Sequence, residues 1–285
     1  MRRDYAEEVL VLSPIRATHA RRQARFVRLL SALRHWDLAQ VHVALLASAD
    51  SAAAVDASLP ALRRAGFGSV RVFREPASLA APDAGAFEAD ARHYIDRQPG
   101  RRAALARARN HLAAVAMTET AEWVLWLDAD LLEYAPSLLA RLRDTGVELV
   151  VPTVYCSGHD GCKGGVYDLN SWRETAASRA ELAELPRGVL VVEGYSPSRT
   201  AAVAALGPGA RDHMDDLRAA ADAPVVALDG VGAACILVRA DLHRQGLIFP
   251  PYVFDHVIES EGLARVAKMM GVQPFGRTDV AVRHA

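Results

Sequence analysis

Two aspartates one residue apart, Asp128 and Asp130, end the apolar run WVLWL at residues 123–127. A continuous apolar run of this length fits a strand covered on both faces. Its carboxyl end is where open α/β sheets hold ligands. Side chains alternate along a strand, so carboxylates at i and i+2 can point the same way. Two like charges there repel unless a cation lies between them. A hard divalent ion suits the pair, because Mg²⁺ and Mn²⁺ take oxygen ligands and accept phosphate oxygens for the rest of the shell. The competing reading is structural: aspartate also starts turns and caps helices at strand ends. A second acidic pair, Asp255 and Glu259 with Glu261 close by, stands at i and i+4 in FDHVIESEGL. On one helix they would share a face. Like charges that close favour a ligand site over a bare helix end, although acids at a helix start also suit its dipole.

The elements that must carry these groups alternate through the first half. EEVLVLSPIR, VHVALLASAD and SVRVFREP read as strands. Helices are expected at about 20–35 and 52–65. A polar, Ala-rich stretch at 77–97 reads as a loop or lid with some helix. RRAALARARNHLAAVAMTE is a strong helix, rich in Ala, Leu and Arg. It leads into the Asp-x-Asp strand, then a helix from about 136 and the strand VELVVPTVY. This rhythm predicts an α/β fold with a mostly parallel, doubly wound sheet. The second half is less regular. Turns are expected in SGHDGCKGGVYDLNSW, and strands in GVLVVEGY, PVVALDG and GAACILVRADL. A helix over FDHVIESEGLARVAKMMG should stop at Gly271, and DVAVRHA should close the chain as a strand. With no internal repeat or linker, residues 1–285 read as one domain with halves at 1–150 and 151–285.

Composition excludes several classes. Of 285 residues, 24% are charged and 51% apolar, and the formal net charge is −1. No global basic field therefore points to nucleic acid or an anionic membrane. No apolar run approaches the ~20 residues of a membrane span, and MRRDYAEEVLVL lacks the form of a signal peptide. A cytoplasmic location is expected, free or peripheral at a membrane. Three cysteines, Cys156, Cys162 and Cys235, suit a reducing compartment better than a disulfide framework. CSGHDGC could pair its cysteines or offer three zinc ligands with His159, but a fourth ligand is lacking. Thiols are the expectation.

RARNHL, WVLWLDADL, VVPTVY, YDLNSWRET, DGVGAACILVRADLHRQG, FPPYVFDHVIESEGLARVAK and a terminal VRH occur in this order. Together they resemble the fungal mannan-polymerase family of Golgi α-1,6-mannosyltransferases, from about residue 107 to 284, with an echo in SPIR. The resemblance implies a GT-A nucleotide-sugar fold, GDP-mannose as donor, Mn²⁺ (or Mg²⁺) as cofactor, and retention of anomeric configuration. Fungal members carry an N-terminal anchor and stem that this sequence does not show. Its Ala- and Arg-rich composition suits a bacterial relative.

Residue by residue, the resemblance gives Asp128 and Asp130 a cation that bridges the donor diphosphate, with His284 as third ligand. Without it, a penultimate His reads as a frayed end. Pro14 and Arg16 become candidates for base, ribose or diphosphate, against an ordinary turn. Asp50 is a candidate for ribose or guanine, against a helix cap. Arg107 and Arg109 lie on different helix faces, and Arg109 with Asn110 is preferred for the donor. Asp229, beside glycines that admit close approach, can accept bonds from sugar hydroxyls or sit in a tight turn. With Asp255 and Glu259 it makes the candidate catalytic set. Tyr167, Asp168, Asn170 and Trp172 suit a sugar or a structured loop. The expected function is mannosyl transfer from GDP-mannose to a glycan or other hydroxyl acceptor, with association into a homo-oligomer open. The alternatives are another nucleotide sugar on the same fold, or a non-catalytic glycan-binding or partner subunit.

Overall fold

The computed structural model describes residues 5–16, 20–79, 94–156, 165–193 and 202–284. Apolar, β-branched runs form β1 (Val9–Ile15), β2 (Val41–Ala47), β3 (Ser69–Arg74) and β4 (Trp123–Leu127). Between them lie α1 (Ala20–Ser31), α2 (Ala52–Arg64) and α3 (Gln98–Ala116). A turn at 128–130 enters β5 (Leu131–Tyr134), followed by α4 (Leu138–Arg143) and β6 (Leu149–Cys156). The second half begins with short pieces: β7 (Trp172–Glu174), α5 (Ala176–Ala183), β8 (Leu190–Val191), β9 (Val203–Ala204), β10 (Arg211–His213) and α6 (Met214–Ala220). It closes with β11 (Val225–Ala227), β12 (Cys235–Arg239), α7 (Ala240–Arg244), α8 (Glu259–Met269) and β13 (Phe275–His284).

The central sheet runs β11-β13-β6-β12-β4-β1-β2-β3, with β5 paired to β13. Strands β1 to β4 are mutually parallel, and β6 and β13 share their direction, while β12 and β11 run the other way. The sheet is thus mostly parallel. Because β12 is reversed, its start lies beside the end of β4: Cys235 pairs with Leu127, and the amide of Asp128 donates to Ala234 O at 3.0 Å.

Alternation along the strands sorts the core onto two faces. On one, Val9, Val11, Val43, Leu45 and Leu125 meet Phe26, Leu30, Val55, Leu62 and Leu139. On the other, Leu10, Leu12, Leu46 and Trp126 meet Ala106, Ala108 and Leu112 of α3 and Leu263 and Ala264 of α8. The alanines of α3 let that helix lie close to the sheet. Each buried Leu contributes roughly 1.5–3 kcal/mol.

Three expectations are corrected. Residues 254–258 are not helical, so Asp255 and Glu259 do not share a helix face. Asp255, His256 and Glu259 take φ of +49°, +63° and +59°. The amides of Phe254 and Val257 each donate to the other's carbonyl, at 2.8 and 3.0 Å, and Val191 N binds His256 O at 2.8 Å. These bonds occupy the groups a helix would use. The strand read in GVLVVEGY shrinks to the two residues of β8, paired with β9. Cys156 is disulfide-bonded rather than a thiol; His159 and Cys162 lie outside the described residues, and Cys235 is a buried free thiol. Gly271, at φ +85°, follows α8 as expected. Among the described residues no helix is long and apolar enough to cross a membrane.

Candidate active site

Asp128 and Asp130 stand in the turn between β4 and β5, not within the strand. Strand alternation therefore does not set their directions, and they diverge. Asp128 Oδ1 accepts from an Arg109 nitrogen at 3.0 Å, and Asp130 Oδ1 lies 3.1 Å from His284 Nε2. Their side chains are 29% and 28% exposed, so both stay open to a ligand. His284 is buried at the end of β13, in register with Leu131 of β5 and Cys156 of β6. That pairing carries the imidazole to the residue beside Asp130. Tyr167 stacks on the ring at 4.2 Å and 11°.

The two carboxylates are pushed in opposite directions. Burial raises the pKa of Asp128, with Asp130 and Glu259 adding to it and Arg109 and His284 opposing. For Asp130, burial works upward but His284 outweighs it, with help from Arg22 of α1, and the net shift is down. Arg109 is 3% exposed and lies between Asp128 and Glu259, its guanidinium over the Phe249 ring at 5.4 Å. Burial alone would lower its pKa; the two carboxylates more than offset that and raise it.

Among the described residues, no three His, Cys, Asp or Glu groups already surround one point as a cation shell would. Asp130 and His284 face each other, while Asp128 is turned to Arg109. The chemistry of the set still fits a divalent ion. Asp130 Oδ1 is buried and has the His284 imidazole nitrogen 3.1 Å away. Two carboxylates and one imidazole match Mn²⁺, which takes nitrogen more readily than Mg²⁺.

The remaining candidates have contacts of their own. Arg16 is tied to the Glu75 carboxylate and to the carbonyls of Leu79 and Ala104, at 3.2 and 3.1 Å. Pro14 lies within β1 opposite Leu46. Asp50 is exposed, and Ser51, not Asp50, stands at the N-cap position of α2, without a side-chain capping bond. Asn110 brackets the Phe249 backbone, donating to its carbonyl at 2.7 Å and accepting from its amide at 2.9 Å. Asp229 binds Lys268 and, at 2.8 Å, the amide of Glu174, so both its oxygens are engaged. Asp255 pairs with Arg265 at 3.2 Å, and Glu259 with Arg109.

A further buried group joins α3, α8 and the YDLNSW loop. Arg102 binds Glu261 and, at 3.0 Å, Asn170 Oδ1. Asn170 donates to Asp168 Oδ1 from its amide at 3.0 Å and its side chain at 2.7 Å. Trp172 Nε1 donates to Glu261 at 2.8 Å, with Arg211 and Arg265 over its ring at 3.5 and 5.4 Å. Burial raises the pKa of Asp168, against its bonds from Asn170 and the charges of Arg102 and His284. Sequence reasoning named Asp168 and Asn170 but missed Arg102 and Arg22. Both are basic residues within helices, and only the tertiary approach of acidic groups from distant parts of the chain distinguishes them.

A family model described as Anp1 matches residues 2–253. That span begins well before the resemblance read from the motifs and ends before α8 and β13. The mannan polymerase complex subunit mnn9 of Schizosaccharomyces pombe is 32% identical over 218 residues, 76% of this chain and 61% of that protein. The mannan polymerase complex subunit MNN9 of Candida albicans is 34% identical over 197 residues, 68% of this chain and 52% of that protein. The chain thus spans about half to three-fifths of these relatives' length. Among solved structures, a mannosyltransferase from Pyrobaculum calidifontis in complex with GDP-Man and Mn²⁺ aligns with TM-score 0.50 at 17% identity, over 99% of this chain and 57% of that one. GalNAc-T7 with UDP, GalNAc and Mn²⁺ aligns with TM-score 0.53 at 12% identity, over 98% of this chain and 44% of that one. The fold is that of GT-A glycosyltransferases.

Proposed function

This chain belongs to the Anp1 family, and we propose that it is a metal-dependent, retaining glycosyltransferase that moves mannose from GDP-mannose to a carbohydrate hydroxyl. The observation that carries the reading is the meeting of Asp130 and His284 at 3.1 Å beside Asp128, at the carboxyl edge of the sheet. The first half, 1–150, would serve the nucleotide and the second, 151–285, the acceptor and the metal.

Asp130 and His284 would hold the cation, with Asp128 joining as it turns from Arg109. When bound, the ion neutralises charge on the departing diphosphate. Glu259 keeps Arg109 neutralised as Asp128 turns away. Arg22, near enough to lower the pKa of Asp130, adds a positive charge on the same side. Retention asks for no strong protein base: the incoming hydroxyl can pass its proton to the departing phosphate oxygen on the same face. The protein then positions groups and stabilises charge.

A second reading, a partner subunit without its own activity, draws on the relatives' names, which describe complex subunits. Calorimetric titration with GDP-mannose, GDP and UDP, each with MnCl₂ or with chelator, separates these. Mn²⁺-dependent binding of GDP and GDP-mannose, and release of GDP when methyl α-mannoside is added, is the expected result. Stronger binding of UDP would move the reading to another nucleotide sugar, and no Mn²⁺-dependent binding at all would favour the subunit.

A further inference from the structure

His284 ends β13 with its backbone held on both sides. It pairs with Cys156 of β6 and, past a register shift after Arg283, with Leu131 of β5. A register shift of this kind re-aims a side chain. The ladder fixes the Cα–Cβ direction but leaves the imidazole plane open, since the second torsion of histidine is broad. Two side chains meet the ring. Nε2 lies 3.1 Å from Asp130 Oδ1, and the Tyr167 ring stacks on the imidazole at 4.2 Å between centroids and 11° between planes.

Tyr167 is itself anchored. Its amide donates to Val154 O at 2.8 Å, Val166 before it forms an antiparallel bridge with Tyr155, and Cys156 N donates to Gly165 O at 3.1 Å. On its other side Asp168 is buried and bound by Asn170, which Arg102 holds at 3.0 Å. The phenol ring is thus tied to β6, the strand beside β13, close to the residue that pairs with His284. Tyr167 keeps 36% of its surface exposed, so apolar burial is a weak reason for an aromatic side chain here.

A histidine that serves a cation needs its plane set by a neighbour. When Nε2 and the Asp130 carboxylate both turn to an ion, the contact between them no longer sets that plane, whereas the stack still does. The Asp130 side chain is 28% exposed, so an ion can reach it from solvent. An imidazole bound through Nε2 also becomes electron-poor, which suits the electron-rich face of a phenol. We propose that Tyr167 is a positioning residue for the cation: its ring sets the plane of His284 so that Nε2 faces the space beside Asp130. The inference rests on the metal-dependent reading above and deepens it.

Mn²⁺ binding is read from the loss of the free-ion signal in electron paramagnetic resonance, with MnCl₂ alone and with saturating GDP. Wild type, Tyr167→Phe and Tyr167→Leu are compared, and Tyr167→Leu is repeated in the His284→Ala background. Tyr167→Leu should weaken Mn²⁺ binding by about tenfold or more, while Tyr167→Phe, which keeps the ring, stays within about threefold of wild type. In the His284→Ala background Tyr167→Leu should add nothing, because the two residues act through one ligand. A merely structural role predicts a loss that persists without His284. The inference is overturned if Tyr167→Leu binds Mn²⁺ like wild type, if Tyr167→Phe falls as far as Tyr167→Leu, or if the effect of Tyr167→Leu survives in His284→Ala. Wild-type protein that takes up no Mn²⁺, with or without GDP, would instead overturn the metal-dependent reading and, with it, the basis of the inference.

Discussion

Arg109 donates to Asp128 at 3.0 Å while its other terminal nitrogen holds Glu259. One buried guanidinium therefore joins the turn after β4 to the first residue of α8. In Arg109→Met, two carboxylates in a protein interior lose their counter-charge, at a cost of about 3–5 kcal/mol. The melting temperature without metal should fall. MnCl₂ should then restore more stability than it adds to wild type, because a bare Asp128 attracts the ion. Melts with and without Mn²⁺ give the comparison, and an equal or smaller increment in the variant counts against this role.

His284→Ala should remove most of the Mn²⁺-dependent gain in stability with GDP. The sequence alone suggests that the metal-free melting temperature would barely move. The structure changes that expectation: the ring is buried, stacked on Tyr167 and opposite Asp130. A metal-free loss of about 1–2 kcal/mol is expected from packing and charge. A variant that keeps the full Mn²⁺ response would remove His284 from the metal site.

Gly230→Ala should destabilise without touching the metal. A Cβ there would lie 2.4 Å from the Trp172 ring, which Arg211, Arg265 and Glu261 hold in place. Overpacking of this kind costs about 1–3 kcal/mol. Urea denaturation measures it, and an unchanged midpoint would mean that the ring shifts freely.

Strands β1 to β4, the helices between them and the last strand were legible because each carries its own apolar period. The reversal of β12 was not, since an apolar run such as CILVR reads alike in either direction. The start of α8 was missed because helical spacing continues through residues 254–258, while the bonds that break the helix come from Phe254 turning on Val257 and from Val191. In the site, the acidic pair was visible as a motif and His284 through a resemblance. The pairing of these groups was not: Arg109 meets Asp128, and Glu259 meets Arg109, only after α3 and α8 pack together.

Acid should weaken the fold through His243. Its Nε2 accepts from Trp126 at 3.0 Å and its Nδ1–H donates to Leu247 O at 2.8 Å, so the neutral ring is fully satisfied. Burial lowers its pKa to about 4, against a smaller opposing effect of the Leu247 bond. The unfolded chain protonates near ~6.5, so between about pH 6.5 and 4 it binds a proton that the folded chain refuses. Stability should therefore fall as pH drops through that window, by on the order of 3 kcal/mol in all. His243→Gln should flatten this part of the pH profile in urea titrations; an unchanged slope would refute the assignment.

The placement of β4 bears on how the chain reaches this state. WVLWL is flanked by β1, made long before it, and by β12, which follows only after β6 and the short elements of the second half. Until β12 arrives, one edge of the most apolar strand in the sheet offers unpaired amides and carbonyls to any neighbour. Long-range pairing of this kind is slow, and an open apolar edge recruits other chains while it waits. Refolding yield should therefore fall steeply with protein concentration.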